Sequence, residues 1–299
     1  MTENYVLSCC STVDLSGERL AQRGIPYLCF HYTLDGEEHR DDFGHSISYP
    51  LFYRAMREGK PTSTSMVSVG EYEEFFADFL AQGKDVLHVC LSGGLSGSAH
   101  AARQAAEMLR ECFPQRRVLI VDSLCASAGY GLLVDTMAEL RAKNMGMDEL
   151  YAWAEENKYR MQHWFFSADL SAYIRGGRVS RTAGNFGALL GICPLLHMDA
   201  EGHLVPGEKI RSKQRVMREI VERMACFAEG GEEYSGRCFI SHSDCRDDAE
   251  TVAQLVRQRF PHLRDGVEIF EIGTTIGSHT GAGTVALFFC GRDRRMGLN

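Results

Sequence analysis

DVLHVCLSGGLSGSAHAARQAAEMLREC (residues 85–112), with RRVLIVDS following at 116–123, decides the class of the fold. DVLHVCLS is an apolar run of the length and kind expected of a buried strand. A turn rich in serine and glycine follows. Beyond it comes an alanine-rich segment in which Ala102, Ala105, Ala106 and Leu109 share one face at helical spacing. RRVLIVDS is again strand-like, and ASAGYGLLVDTMAELRAKN (126–144) reads as the next helix. Strands separated by helices predict parallel βαβ units, because the helix carries the chain back to the edge it left.

The same grammar extends upstream. NYVLSCC (4–10) is a short strand ending in Ser11 and Thr12, and IPYLCFHYTL with DGEEHRDDF (25–43) is a strand, a turn and a polar segment. SVGEYEEFFADFLAQG (68–83) predicts a helix: Ser68 is placed to cap it with Glu71 three residues on, Tyr72, Phe75, Phe76 and Phe79 form one face, and Gly83 ends it. Residues 1–160 are therefore expected to form an N-terminal parallel-sheet three-layer α/β domain. From about residue 160 the texture changes. HWFFSADL, RCFISHS and VEIFEI alternate with the helical segments SKQRVMREIVERMACFAEG and DDAETVAQLVRQRFP, DAEG (199–202) is a turn between two strand-like runs, and GTTIGSHTGAG reads as a glycine-rich loop. Residues 161–299 are expected to form a C-terminal mixed-sheet α/β domain, with any ligand held between the two.

Bulk composition excludes several classes. The net charge of −8 over 299 residues is the wrong sign for nucleic acid, which is bound through basic patches. No run approaches the roughly 20 apolar residues of a membrane span, so no stable membrane insertion is expected. The start of the chain lacks a signal-peptide pattern, and a cytoplasmic location is expected. Eleven cysteines, an odd number without CxxC or zinc-site spacing, point to free thiols in a reducing compartment, with no metal and no cofactor.

In an open parallel sheet, ligands sit beyond the carboxyl ends of the strands. Four hydroxyl-bearing segments fall there or nearby: Ser11-Thr12, Ser92 to Ser98, Asp122-Ser123, and TSTSMVSVGE with Thr62, Ser63, Thr64, Ser65 and Ser68. Hydroxyls at a helix N-terminus suit a carboxylate or phosphate; they are also ordinary turn and cap residues. The second half adds Arg175 and Arg178 in IRGGRVS, Arg211 in EKIRSK, and His279 in IGSHTGAG, while His197 and His203 read as structural. GLSGS lacks the last glycine of a nucleophile elbow, so a serine-dependent acyl hydrolase or transferase using Ser96 and His279 stays open beside a carrier and a small-anion binding protein.

The segments TSMVSVGEY, LSGGLSGS, VDSLCASAGYGLL, YIRGGRVS, GEKIRSK and IGSHTGAG, in this order, resemble the DegV family over nearly the whole chain. The resemblance implies a two-domain α/β protein that is not itself an enzyme. It implies binding of a long-chain fatty acid between the domains and presentation of it to the catalytic subunit of a separate fatty acid kinase. Carried over by motif, Thr64 and Ser96 would hold the carboxylate, with Ser65, Ser92 and Gly97 completing the head-group loops. Arg175, Arg178, Arg211 and His279 would serve phosphate transfer or the partner contact. The apolar stretch FGALLGICPLLHM (186–198) would form part of the tail's wall. The chain departs from the family pattern at Cys10, where an aspartate is usual, and in TSMVSVGE, which lacks the family's prolines; Gly93, Ser98 and Ala282 also differ.

Overall fold

The structure, a computed structural model, describes residues 5–180 and 192–297. In chain order the first half contains β1 (Tyr5–Cys10), α1 (Gly17–Gln22), β2 (Tyr27–Leu28), β3 (His31–Leu34), β4 (Glu37–Arg40), α2 (Tyr49–Arg57), β5 (Thr62–Ser65), α3 (Val69–Ala81), β6 (Asp85–Cys90), α4 (Ser98–Cys112), β7 (Val118–Asp122), α5 (Ser127–Ala142) and α6 (Met147–Asn157). The second half contains β8 (Met161–Ser167), α7 (Ser171–Arg175), β9 (Ile192–Met198), β10 (Leu204–Arg211), α8 (Lys213–Phe227), β11 (Cys238–His242), α9 (Arg246–Arg259), β12 (Val267–Glu271), α10 (Thr274–Thr280) and β13 (Thr284–Cys290).

Among the described residues these strands make three sheets. The expected parallel sheet is present with strand order β2-β1-β6-β7. It includes the βαβ unit read from residues 85–123, here β6-α4-β7, and α3 begins with the expected capping box, Ser68 and Glu71 each accepting from the other's backbone N–H. The second sheet, β10-β9-β8-β13-β11-β12, is mixed: only β11 and β12 run parallel. The fold is thus α/β with one parallel and one mixed sheet.

Two local readings differ from the structure. TSTS is not a turn entering a helix but strand β5, antiparallel to β3 in a small third sheet, β4-β3-β5. GTTIGSHT is not a loop but the short helix α10, ended by Gly281 at φ +69°. Both runs are polar and lack an apolar stripe, so their shape is set by what they pack against rather than by their own pattern.

Helix α5 lies between the two large sheets. It is buried almost all round from Ser127 to Ala138, and it packs on β8, β11 and β13. A helix apolar on every side belongs in an interior. One core consequently runs through it from Leu7, Leu87 and Val121 of the parallel sheet to Phe165, Phe239 and Phe288 of the mixed one. No helix among the described residues is long and apolar enough to cross a membrane.

Candidate functional site

A cavity of about 200 Å³ opens where the parallel sheet's carboxyl edge meets the mixed sheet. The period-two alternation of strands builds its apolar wall. His163 and Phe165 of β8 point into it, as do Ala286 and Phe288 of β13, and these residues are direct cross-strand partners. Met198 and Leu204, at the two sides of the β9–β10 turn, add to the same surface.

At the other end the wall is polar. The alternation of β5 turns Thr64 inward and leaves Ser65 exposed. Thr64 Oγ1 lies 2.8 Å from His279 Nε2. Burial, then the charges of Arg178 and Arg175, push the imidazole pKa down to about 4, so the ring is neutral at physiological pH. Its Nδ1 is buried and has no hydrogen-bond partner among the described residues; Gly176 packs so closely on that nitrogen that a Cβ there would stand 2.3 Å from it. A buried N–H without an acceptor is costlier than a buried lone pair without a donor. The tautomer with its proton on Nε2 is therefore favoured. It donates to Thr64, leaving the threonine hydroxyl free to donate to an incoming oxygen.

Ser96 reaches the cavity on the loop between β6 and α4. Its Oγ accepts from Ser98 N at 3.2 Å, which fixes the oxygen and leaves the hydroxyl proton free. The loop owes its shape to contacts from both halves of the chain. Gly94 lies under the tip of the β9–β10 hairpin, where an added Cβ would meet the Gly202 carbonyl at 2.7 Å. Ser92 is fully buried and spends its hydroxyl on that same carbonyl, at 2.8 Å, while accepting from Gly94 N at 3.1 Å. Ser92 thus serves the loop and does not line the cavity. Gly97 does line it, against Met66.

The four basic candidates separate. Arg178 lines the cavity and bridges the halves: its Nη2 donates to Leu95 O at 3.0 Å and its Nη1 to Gly176 O at 2.6 Å. Arg175 is exposed on the last turn of α7, close enough for its charge to act on His279. Arg211 is exposed at the end of β10 remote from Leu204 and does not line the cavity. His279 joins Thr64, as described. No histidine is hydrogen-bonded to Ser96 among the described residues, so the Ser96–His279 pairing of a hydrolase is not formed.

The apolar lining from Phe30, Ile272, Ile276 and Phe288 was not foreseen. The inward positions of HWFFS and ALFF carried that signal, but an inward alternation looks the same whether it faces a core or a cavity. Of FGALLGICPLLHM, Met198 lines the cavity, while residues 186–191 lie outside the described residues. Cys10 is buried, with its thiol 3.2 Å from the Tyr72 hydroxyl, which in turn meets Ser98 Oγ at 2.5 Å.

A mixed and a parallel sheet enclosing an apolar cavity with one polar end define an α/β protein built around an internal ligand-sized space. The chain belongs to the DegV family, whose model it matches over residues 10–292. It is 35% identical over 289 residues to a DegV domain-containing protein of Clostridium perfringens, covering 97% of this chain and 98% of that one. Among solved structures it is similar to a fatty-acid-binding DegV family protein from Thermus thermophilus (26% identity, TM-score 0.86, covering 97% of this chain and 100% of the other). A stearic acid-binding protein from Eubacterium ventriosum shares the fold at 20% identity with a TM-score of 0.84, over 98% and 99% of the two chains.

Proposed function

We propose that this protein binds a long-chain fatty acid, with the carboxylate at Thr64 and Ser96 and the tail along the wall formed by β8 and β13. The observation that carries this reading is the cavity's polarity: two hydroxyls with free protons and a neutral imidazole at one end, and aromatic and aliphatic side chains beyond. Hydrogen bonds to a charged group contribute about 1.5–3 kcal/mol each. A buried tail adds roughly 0.8 kcal/mol per CH₂, so the tail sets affinity and the hydroxyls set direction. The fatty acid binding of the similar DegV family protein from Thermus thermophilus supports the same cargo.

Ser96 has no catalytic pairing among the described residues, and we read the protein as a carrier. Its bound carboxylate would be presented to the catalytic subunit of a fatty acid kinase, with exposed Arg175 as the partner-facing charge. Native mass spectrometry followed by organic extraction tests the cargo. The expected result is an adduct of fatty acid mass, lost when Thr64→Ala and Ser96→Ala are combined. A protein free of ligand that also refuses added palmitate overturns it.

A further inference from the structure

Two carboxyl groups lie behind the cavity wall, and among the described residues neither has a cation paired with it. Asp14 and Asp41 are each 2% exposed, and both approach Gly273 at the start of α10. Between them they take three successive backbone N–H groups. Asp14 Oδ1 accepts from Gly273 N at 2.9 Å, and Asp41 accepts from Thr274 N at 3.3 Å and Thr275 N at 3.4 Å. Asp41 also accepts from Thr274 Oγ1 at 2.8 Å and from Ser11 Oγ at 3.3 Å, and Ser11 in turn receives Phe30 N at 3.1 Å. Phe30, Thr275 and His279 all line the cavity.

The two carboxyls are not equivalent. Asp41 is surrounded by donors and serves only as an acceptor, the state of an ionised carboxylate. Asp14 Oδ2 stands 2.5 Å from Ser127 Oγ, and that oxygen stands 3.1 Å from Ser241 Oγ. These three groups form one hydrogen-bonded chain, which runs from Ser241 through Ser127 to an ionised Asp14 or from a protonated Asp14 outward to Ser241. What selects the second is the burial of Asp14 beside a second buried carboxyl, with no cation paired to either among the described residues. Asp14 and Ser127 both hold left-handed backbone conformations, φ +46° and +54°, which side-chain-bearing residues adopt at a cost and which the rest of the fold must enforce.

We propose that Asp14 and Asp41 form a one-proton carboxyl pair, with the proton on Asp14, that positions α10 and Ser127 as walls of the acyl cavity. The proposal rests on the fatty-acid reading for its consequence, but not for the state of the pair. Two buried carboxyls this close do not both ionise readily. Burial, opposed by the bonds from Ser127 and Gly273 and reinforced by the charge of Asp41, pushes Asp14 up to about 8. Asp41 is raised by burial but opposed by the Thr274 and Thr275 donors. The other groups facing the pair are Cys29, Tyr32, Tyr49 and Tyr53, all raised first by burial and then by the charge of Asp41 or Asp14; the acidic Asp42 and Glu271 lie one group further out, acting on Tyr49. Arg40, next in the chain, is exposed and hydrogen-bonds to neither carboxyl. The folded chain therefore retains a proton on Asp14 that the unfolded chain releases near pH 4. Asp14's contribution to stability declines as the pH rises from there to about 8 and is constant above.

The test compares wild type, Asp14→Asn and Asp41→Asn in palmitate titrations across this range, with an infrared spectrum of each ligand-free protein. Asparagine in place of Asp14 reproduces a protonated aspartate: an acceptor for Gly273 N and a donor for Ser127. The D14N protein should bind palmitate within about threefold of wild type at neutral pH and keep that affinity in mild alkali, where wild type falls about tenfold. In the D41N protein the new amide meets donors with donors, and binding should be about tenfold weaker at every pH. The protonated-carboxyl stretch of wild type at neutral pH should vanish in D14N. An unchanged stretch in D14N, or a D14N protein as damaged as D41N, overturns the proposal. A wild type that takes no palmitate while showing the stretch defeats the fatty-acid reading and leaves the one-proton pair standing.

Discussion

Thr64 and its neighbour Ser65 differ by one position in a strand, and that difference separates a cavity residue from a surface one. The hydroxyl-rich motifs pointed to the right loops, but the face each hydroxyl takes depends on strand pairing, which no single residue type reveals. Ser92 shows the same limit: as a serine of the loop it was indistinguishable from Ser96 until the hairpin tip it binds was in place. At this scale Ala286 offers the cleanest test of the tail path. It is buried at 5% exposure, faces the cavity beside Phe165, and pairs with it across β13 and β8. Ala286→Phe should fill the space, lowering palmitate affinity by at least about tenfold. A short acid such as hexanoate, held mainly at its head, should lose little. Isothermal titration with both acids checks this.

The loop from Leu91 to Gly97 is positioned by elements far away in the chain. Its glycines are spaced by contacts, with Asp122 against Gly93, the β9–β10 tip against Gly94, and Met66 against Gly97. Gly94→Ala should therefore act as an overpacking change. The new methyl meets backbone rather than a flexible side chain, and should cost about 1–3 kcal/mol in chemical denaturation. Palmitate affinity should fall with it, since Ser96 rides on the displaced loop. The βαβ unit and helix α3 were legible because burial imposes apolar periods on them and caps mark their ends. Strand β5 and helix α10 were not, because both are short and polar and are held by partners. Asp41 is one of those partners, and nothing in its local sequence marks it as the acceptor for a helix more than two hundred residues away.

Across the whole molecule, the end of α5 opposite the cavity is bound by charge. Asp135 is fully buried and accepts from Arg19 at 3.0 Å and Arg23 at 2.8 Å, and it also pairs with Arg237. Glu139, one turn on, pairs with Arg23, Arg237 and Arg264. Three elements of different chain regions converge on two acids, and the arginines hold the Asp135 carboxyl below the usual aspartate range although burial opposes them. Asp135→Ala would take one acid from buried Arg237 and from half-buried Arg19 and Arg23, leaving Glu139 and Glu268 to pair with them, and a loss of about 3 kcal/mol is expected in urea unfolding. Substituting exposed Arg54, which pairs with Glu58 at the end of its own helix, should change stability by less than about 1 kcal/mol.

Arg178 gives this arrangement its last consequence. Its guanidinium is rooted beyond α7 yet grips the Leu95 carbonyl of the loop that carries Ser96. The two ends of α5 are thus fastened by different means, by ion pairs at one and at the other by hydrogen bonds, from Ala126 N to His163, between Ser127 and both Asp14 and Ser241, and from Arg178 to the Leu95 carbonyl. Among these the Arg178 bond alone reaches the loop that carries Ser96, so its loss should slacken that loop while the other bonds keep the two sheets together on α5.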